Sequence, residues 1–214
     1  MATVTKWVGV AVAMQSVLAA ADTITAITKA STGVVTAAAH GFVNGDYVVH
    51  TIQGMVELDG KVVRVANKTN DTYELEGVNT IAYTTFTSGT GELITFGTSI
   101  TTALNMDGSG GDFGFEDVTT IHDYIKKQIP TLANPISYSM EHLWDSTDAG
   151  QTAMKAASEA QAKRAFKFTF GTGGKIVTFS GYVGFVGTPT GQAPGVVKTP
   201  AVITAFGTPT YYAS

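Results

Sequence analysis

The 214-residue chain has no cysteine, which rules out both a disulfide framework and a thiolate metal site. It is also poor in charge: Asp, Glu, Lys and Arg make up 14% of it, where soluble domains carry roughly a quarter. A surface this weakly charged calls for cover other than water, and self-assembly is the simplest cover. The net charge of −4 argues against a nucleic-acid binder that works by neutralising phosphates. No apolar run is long enough to cross a membrane as a helix. Lys6 followed by WVGVAVAMQSVLAAA imitates a secretory signal ending at Ala19–Ala21, but Gln15 and Ser16 break the run and one positive charge precedes it. Val4, Val8, Val10 and Val12 recur at a period of two, which predicts an opening strand.

The motifs of catalysis are missing too. Gly171-Thr172-Gly173-Gly174-Lys175 lacks the upstream glycine and the hydroxyl residue after lysine that a phosphate loop needs; flanking strands make it a hairpin turn. Gly108–Gly114 misses the dinucleotide fingerprint. His40, His50, His122 and His142 are scattered, with no pair four apart on a helix. The neighbours His122–Asp123 and Glu141–His142 point to opposite sides of any strand. No serine sits in a nucleophile elbow. Asn67-Lys68-Thr69 and Asn70-Asp71-Thr72 match a glycosylation sequon but read as a turn. The sequence therefore offers no catalytic, cofactor-binding or metal-ligating residue, and an enzyme is the least supported class.

What the chain does contain is glycine (24 residues), threonine and short alternating apolar runs, which predict a mainly β fold of one large or two small domains. Strands are expected at Ile24–Lys29, Gly33–Ala38, Tyr47–Ile52, Lys61–Ala66, Thr72–Glu76 and Gly91–Phe96. Turns at Asn44-Gly45-Asp46, Leu58-Asp59-Gly60 and Asn70-Asp71 separate them. Met106–Gly114 reads as a long glycine-rich loop. Strands follow at Val118–Ile125 and Ile136–Leu143. A helix is predicted over Ser146–Lys163, capped by Asp145 or Ser146, with Asp148 in its first turn and Lys163 and Arg164 at its end. Phe166, Phe168 and Phe170 share one face of the next strand. Val177, Phe179, Val183 and Phe185 share one side of the following one, and a last strand runs over Val197–Phe206.

Charge is unevenly spread. Between Thr69 and Ile125 there is no Lys or Arg but nine acids; the remainder carries thirteen bases and eight acids, so −9 faces +5. The stretch is either a solvated acidic surface or an acidic wall with a use.

Two resemblances organise these readings. Val34–Gly89, with its rhythm Thr69-x-Asp71-x-Tyr73-x-Leu75 followed by Gly77-Val78, resembles the small β-barrel named after the first catalytic cysteine half-domain of ubiquitin-activating enzymes, a module that recurs in phage virion proteins. The closing VTFSGYVGFVG (177–187) and PAVITAFGTPTYY (200–212) resemble the last strands of the major tail tube protein of a long, non-contractile-tailed bacteriophage, a siphophage. The resemblance implies a discontinuous tail tube domain (1–21 and 97–214), a β-sandwich or barrel with one flanking α-helix, and an inserted barrel module (22–96). It also implies self-assembly into hexameric rings that stack into a tube in the virion, made in the host bacterial cytoplasm. DNA passes through the lumen without specific binding. The implied partners are further copies, a tape-measure protein and tail tip and terminator proteins, with no cofactor and no membrane. Within that frame Asp112, Glu116 and Asp117 are the lumen-lining candidates. Asp107, Gly108, Gly110, Gly111 and Asp112 are the candidates for a loop reaching a neighbouring subunit. An outward-facing module with its own core would be dispensable for tube formation. The competing reading is a virion decoration or receptor- or carbohydrate-binding protein, which would share the barrel but not polymerise.

Overall fold

The computed structural model describes residues 7–171 and 174–213. Val4 and the Thr172-Gly173 centre of the expected hairpin turn lie outside them. The strands in chain order are β1 (Val10–Met14), β2 (Val17–Leu18), β3 (Asp22–Ile24), β4 (Ala26–Ile27) and β5 (Val34–Thr36). Then come β6 (Tyr47–Gln53), β7 (Val62–Ala66), β8 (Thr72–Leu75), β9 (Ser88–Thr95) and β10 (Thr98–Ile100). β11 (Ala103–Ser109), β12 (Phe113–Asp117), β13 (Gln128–Ala133) and β14 (Ser137–Leu143) precede the helix α1 (Ala149–Glu159). β15 (Arg164–Phe170), β16 (Ile176–Gly184) and β17 (Lys198–Tyr212) close the chain. The expected mainly β architecture with one helix is what forms.

The strands fall into two large sheets and a separate hairpin. The first sheet has the order β10-β1-β15-β16-β17-β14-β11, antiparallel throughout. Its two edge strands, β10 and β11, are separated by only Thr101 and Thr102. Three peptide units span at most about 11 Å, so the sheet must roll until its edges approach. The inner face of the roll holds the core: Phe166, Phe168, Phe179, Met140, Met154 and Ile203. Alternation places Val177, Phe179, Val183 and Phe185 in it together, as their spacing predicts. Phe168 meets Phe179 edge-on at 5.2 Å between ring centres.

The helix plugs one end of the roll through Gly150, Gln151, Met154 and Ala157, a single apolar stripe. It is shorter than the expected Ser146–Lys163. Asp148 is the N-cap and not a first-turn residue: its carboxylate accepts from the Gln151 N–H at 2.9 Å. The far end closes where Gln161 turns left-handed (φ 47°), so that Gln161 N–H donates to the Ser158 carbonyl and Ala162 N–H to that of Ala157. A glutamine where glycine is usual hides this stop in the sequence, and Arg164 already belongs to β15.

The second sheet has the path β2-β9-β6-β7-β8-β5-β4, with β3 also paired to β9. The expected strand Ile24–Lys29 is split: at Thr25 the chain leaves β9 and joins β5. One residue thus carries the strand from one end of the sheet to the other and closes a small barrel. Its core includes Val35, Val48, Leu58, Val63, Tyr73 and Leu75. His50 is fully buried beside Tyr73. Its Nδ1 lies 3.4 Å from the Lys61 carbonyl, which only accepts, so Nδ1 carries the proton and Nε2 accepts from the Tyr73 hydroxyl at 2.9 Å. Burial pushes the imidazole down to about 4.

The barrel is fastened to the outer face of the first sheet. Val49, Val62 and Ile94 form a small shared core with Ala165. The Val62 carbonyl accepts from Thr178 Oγ1 at 3.4 Å and Thr210 Oγ1 at 3.0 Å, and Ser180 Oγ donates to the Gly60 carbonyl. Arg64 is paired with Glu76, stacks 4.7 Å above the Tyr212 ring and gives its backbone N–H to the Tyr212 hydroxyl at 2.8 Å. The last strand therefore runs beyond the expected Phe206. A bulge at Gly207–Pro209, with Gly207 at φ 78°, bends it onto the barrel.

Candidate assembly interface

The sequence predicts a glycine-rich loop at Met106–Gly114 and a strand at Val118–Ile125; the structure reverses them. Asp107 and Gly108 lie in β11, opposite Ser139 and Tyr138. Gly110 (φ 86°) and Gly111 (φ 83°) make a kink that no side-chain-bearing residue adopts readily. A Cβ at Gly110 would lie 2.1 Å from the Pro135 carbonyl oxygen. Pairing continues through the kink, with Gly111 N–H donating to the Asn134 carbonyl at 3.0 Å and Asn134 N–H to that of Asp112 at 2.8 Å. β12 and β13 then prolong the ribbon as a two-stranded arm. Val118–Ile125 is the arm's tip, a run of turns. Glycines do not prevent a ladder here, because the partner strand β14–β13 supplies every cross-strand bond.

Five residues of β12 at ~3.3 Å each carry the arm roughly 15–20 Å from the sheet. Every residue of β13 is exposed, and at the tip Ile121, Tyr124 and Ile125 are almost wholly so. A free two-stranded ribbon of this kind is at best marginally stable alone. Each of its apolar side chains would gain about 1.5–3 kcal/mol on full burial.

The arm has two unlike faces. Phe115 stands opposite Pro130, Phe113 opposite Ala133 and Asp117 opposite Gln128. Glu116 stands opposite Ile129 and alternates with Asp117. One face thus carries Phe113, Phe115, Pro130 and Ala133, with Asp117 and Gln128 toward the tip, and the other carries Asp112, Gly114 and Glu116 with Ile129. The three acids expected to line a lumen together are not brought together. Asp117 lies on the aromatic side and is tied to Lys126 at 3.2 Å. Its hydrogen bonds to Thr119, with Lys126 beside it, hold its carboxyl below the usual range. Lys127 is likewise paired, with Asp123.

The rolled sheet is incomplete beside the arm's root. β1 pairs with β10 only as far as Val12–Ile100. Beyond it the chain crosses to β11 and the two edges part. A cleft of about 400 Å³ opens there, lined by Trp7, Val10, Val12, Leu104 and Met106. Among the described residues no strand pairs with the outward edge of β11, a row of backbone groups ready for another strand.

The family model for phage tail tube proteins matches residues 53–214. The chain belongs to that family. The match takes in the whole rolled sheet except β1, and it also covers β7, β8 and β9 of the small barrel. No curated protein matches the chain. A tail tube protein is a structural component of the virion that self-assembles into a tube, and a free sheet edge and an uncovered arm are what such assembly requires. Among the described residues no group of three or more His, Asp or Glu is placed to hold a metal ion. Among the described residues no helix is long and apolar enough to cross a membrane.

Sequence reasoning did not single out Phe113, Phe115, Ile121 and Tyr124, which the structure leaves exposed along the arm. The signal was present: four large apolar side chains within twelve residues of the most acidic stretch, where a solvated loop would have none.

Proposed function

We propose that this chain is the major tail tube subunit of a long, non-contractile-tailed phage, closing into rings of six copies that stack around a tape-measure protein. The resulting tube conducts DNA during ejection, and tip and terminator proteins bound its ends. The observation that carries this reading is the pair formed by the unpaired β11 edge and the arm that continues from it. β11 pairs with an edge of the next copy in the ring, and the arm lays its Phe113–Phe115 face on a neighbouring subunit. Asp112 and Glu116, on the opposite face, are left toward the lumen. Asp107, Gly108, Gly110 and Gly111 set the arm's root and direction rather than forming a mobile contact loop.

The inserted module (22–96), read as the ubiquitin-activating-enzyme-like barrel, rides outside the tube as a fixed part of each subunit. A decoration or receptor-binding role would use the same barrel but leaves the arm and the β11 edge without a partner.

Native mass measurement and negative-stain microscopy of the full chain test the assembly reading. Closed hexamers or stacked tubes at micromolar concentration are expected. A monomer at every concentration and salt level would sink it.

A further inference from the structure

The outer face of β11, β14 and the first half of β17 lies outside the contacts that fasten the module to the sheet. Alternation sends Met140 and Ala201 to the core, and turns Asp107, Ser139, Glu141, Val202 and Thr204 outward together. The module covers a different part of the same outer surface, over β15, β16 and the end of β17. A ring that turned the module side inward would fill its own channel with barrels. The module-free face is therefore the one left for the inside, and it is continuous with the β11 edge where copies meet.

This face holds one cation, Lys198, and that cation is not free: its Nζ lies 2.9 Å from Glu141 Oε2. The pair is partly exposed, so its value is not fold stability, which such pairs seldom supply. Its effect is on what the face shows to a passing polyanion. A bare ring of lysines would bind phosphates and release counterions, and a masked ring does not.

We infer that the outer face of β11–β14–β17 is the DNA-facing wall of the channel, and that Glu141 serves there to mask Lys198. This rests on the tube reading above, which wild-type microscopy tests separately: absence of wild-type tubes overturns that reading before any variant is made.

The wall assignment is tested by cysteine chemistry, since the native chain has none. In assembled Ser139→Cys tubes a small thiol reagent should react while a bead-linked maleimide should not; both should react with the unassembled subunit. Reaction with the bulky reagent, or with neither, overturns the assignment.

The mask is tested with a short fluorescent DNA duplex sedimented with purified tubes. Glu141→Gln tubes should retain roughly tenfold more duplex than wild type at low salt and lose it at high salt. The double variant Glu141→Gln, Lys198→Met should return to the wild-type level. Should Glu141→Gln fail to assemble, Thr204→Lys, whose cross-strand partners Ser137 and Tyr182 carry no carboxylate, adds an unmasked cation to the same wall with the Glu141–Lys198 pair intact and should retain duplex in the same salt-dependent way. Retention equal to wild type in the assembled variant overturns the masking role.

Discussion

Two barrels in one chain solve the problem of the open sheet edge in different ways. In the small module the strand switches edges over a single residue, Thr25, and the ladder closes behind it; the core is sealed and both its buried histidines, His40 and His50, are hydrogen-bonded. In the tail tube sheet the switch takes Thr101 and Thr102, the edges do not meet, and a cleft and a free strand remain. From one sheet edge an uncovered arm extends. Closure makes the module a finished object. Its absence leaves the other barrel open, and on the tube reading proposed above the next copy completes it.

The largest effect expected from this contrast is on polymerisation. Replacing Phe115 and Ile121 by Asp should abolish tubes while leaving the subunit folded, as read by circular dichroism and microscopy. The control pair on the module, Val56→Asp and Ile81→Asp, alters side chains that are also well exposed (64% and 58%) and should leave tubes intact. Equal loss in both would mean that exposure alone, not the arm, governs assembly.

A smaller effect separates the barrels by pH. The His50 imidazole is held down to about 4 by burial, whereas it titrates near 6.5 when unfolded. Between those values the unfolded chain binds more protons, so the module's stability is complete above pH 6.5 and falls as pH is lowered toward 4. The loss approaches about 3 kcal/mol. Acid unfolding followed by fluorescence should show this dependence and lose most of it in His50→Gln. A variant with the unchanged slope would place the acid sensitivity elsewhere. Because the Val62 carbonyl and Arg64 fasten the module to β16 and β17, the tube sheet should lose stability in the same window. Excising residues 22–96 is accordingly expected to destabilise what remains, since Thr178 and Thr210 lose their acceptor and Ala165 its cover.

The smallest effect lies in the helix that plugs the open barrel. Asp148→Ala removes the cap on Gln151 and should cost about 1 kcal/mol in urea unfolding, with no change in tube morphology. The same substitution at Asp145, which the sequence offers beside Ser146 as a cap, should cost less.

Most of the fold was legible where periodicity and turn chemistry agree. Phe166, Phe168, Val177 and Phe179 announced their strands, and Tyr47–Gln53 and Thr72–Leu75 fell within a residue or so of expectation. What was not legible depended on partners far along the chain. Met106–Ser109 is a strand because β14 pairs with it, although its glycines argue otherwise locally. Val118–Ile125 looks like a strand because it is apolar, yet those side chains find no cover within the subunit. The helix stop at Gln161 lacked its usual glycine. The acidic stretch drew attention to Asp112, Glu116 and Asp117, but only the register shows that neighbouring Glu116 and Asp117 stand on opposite faces. The alternation Ser137, Ser139, Glu141 against Tyr138, Met140, His142 marks the outer wall and could have been read from the sequence.

The fifteen residues of β17 also have a mechanical consequence. Its first half forms the wall beside β14, its bulge turns at Gly207, and its end is held to the module by Arg64 and the Val62 carbonyl. Beside the two covalent links, from β1 to β2 and from β9 to β10, tension between module and wall runs along this backbone. On the wall side it pulls the strand lengthwise against β14 and β16, where the ladder bonds share the load and must yield together rather than one by one. On the module side a few side-chain contacts take the same load. A bent or stretched tail would therefore loosen its modules on their two chain tethers before it opened its channel.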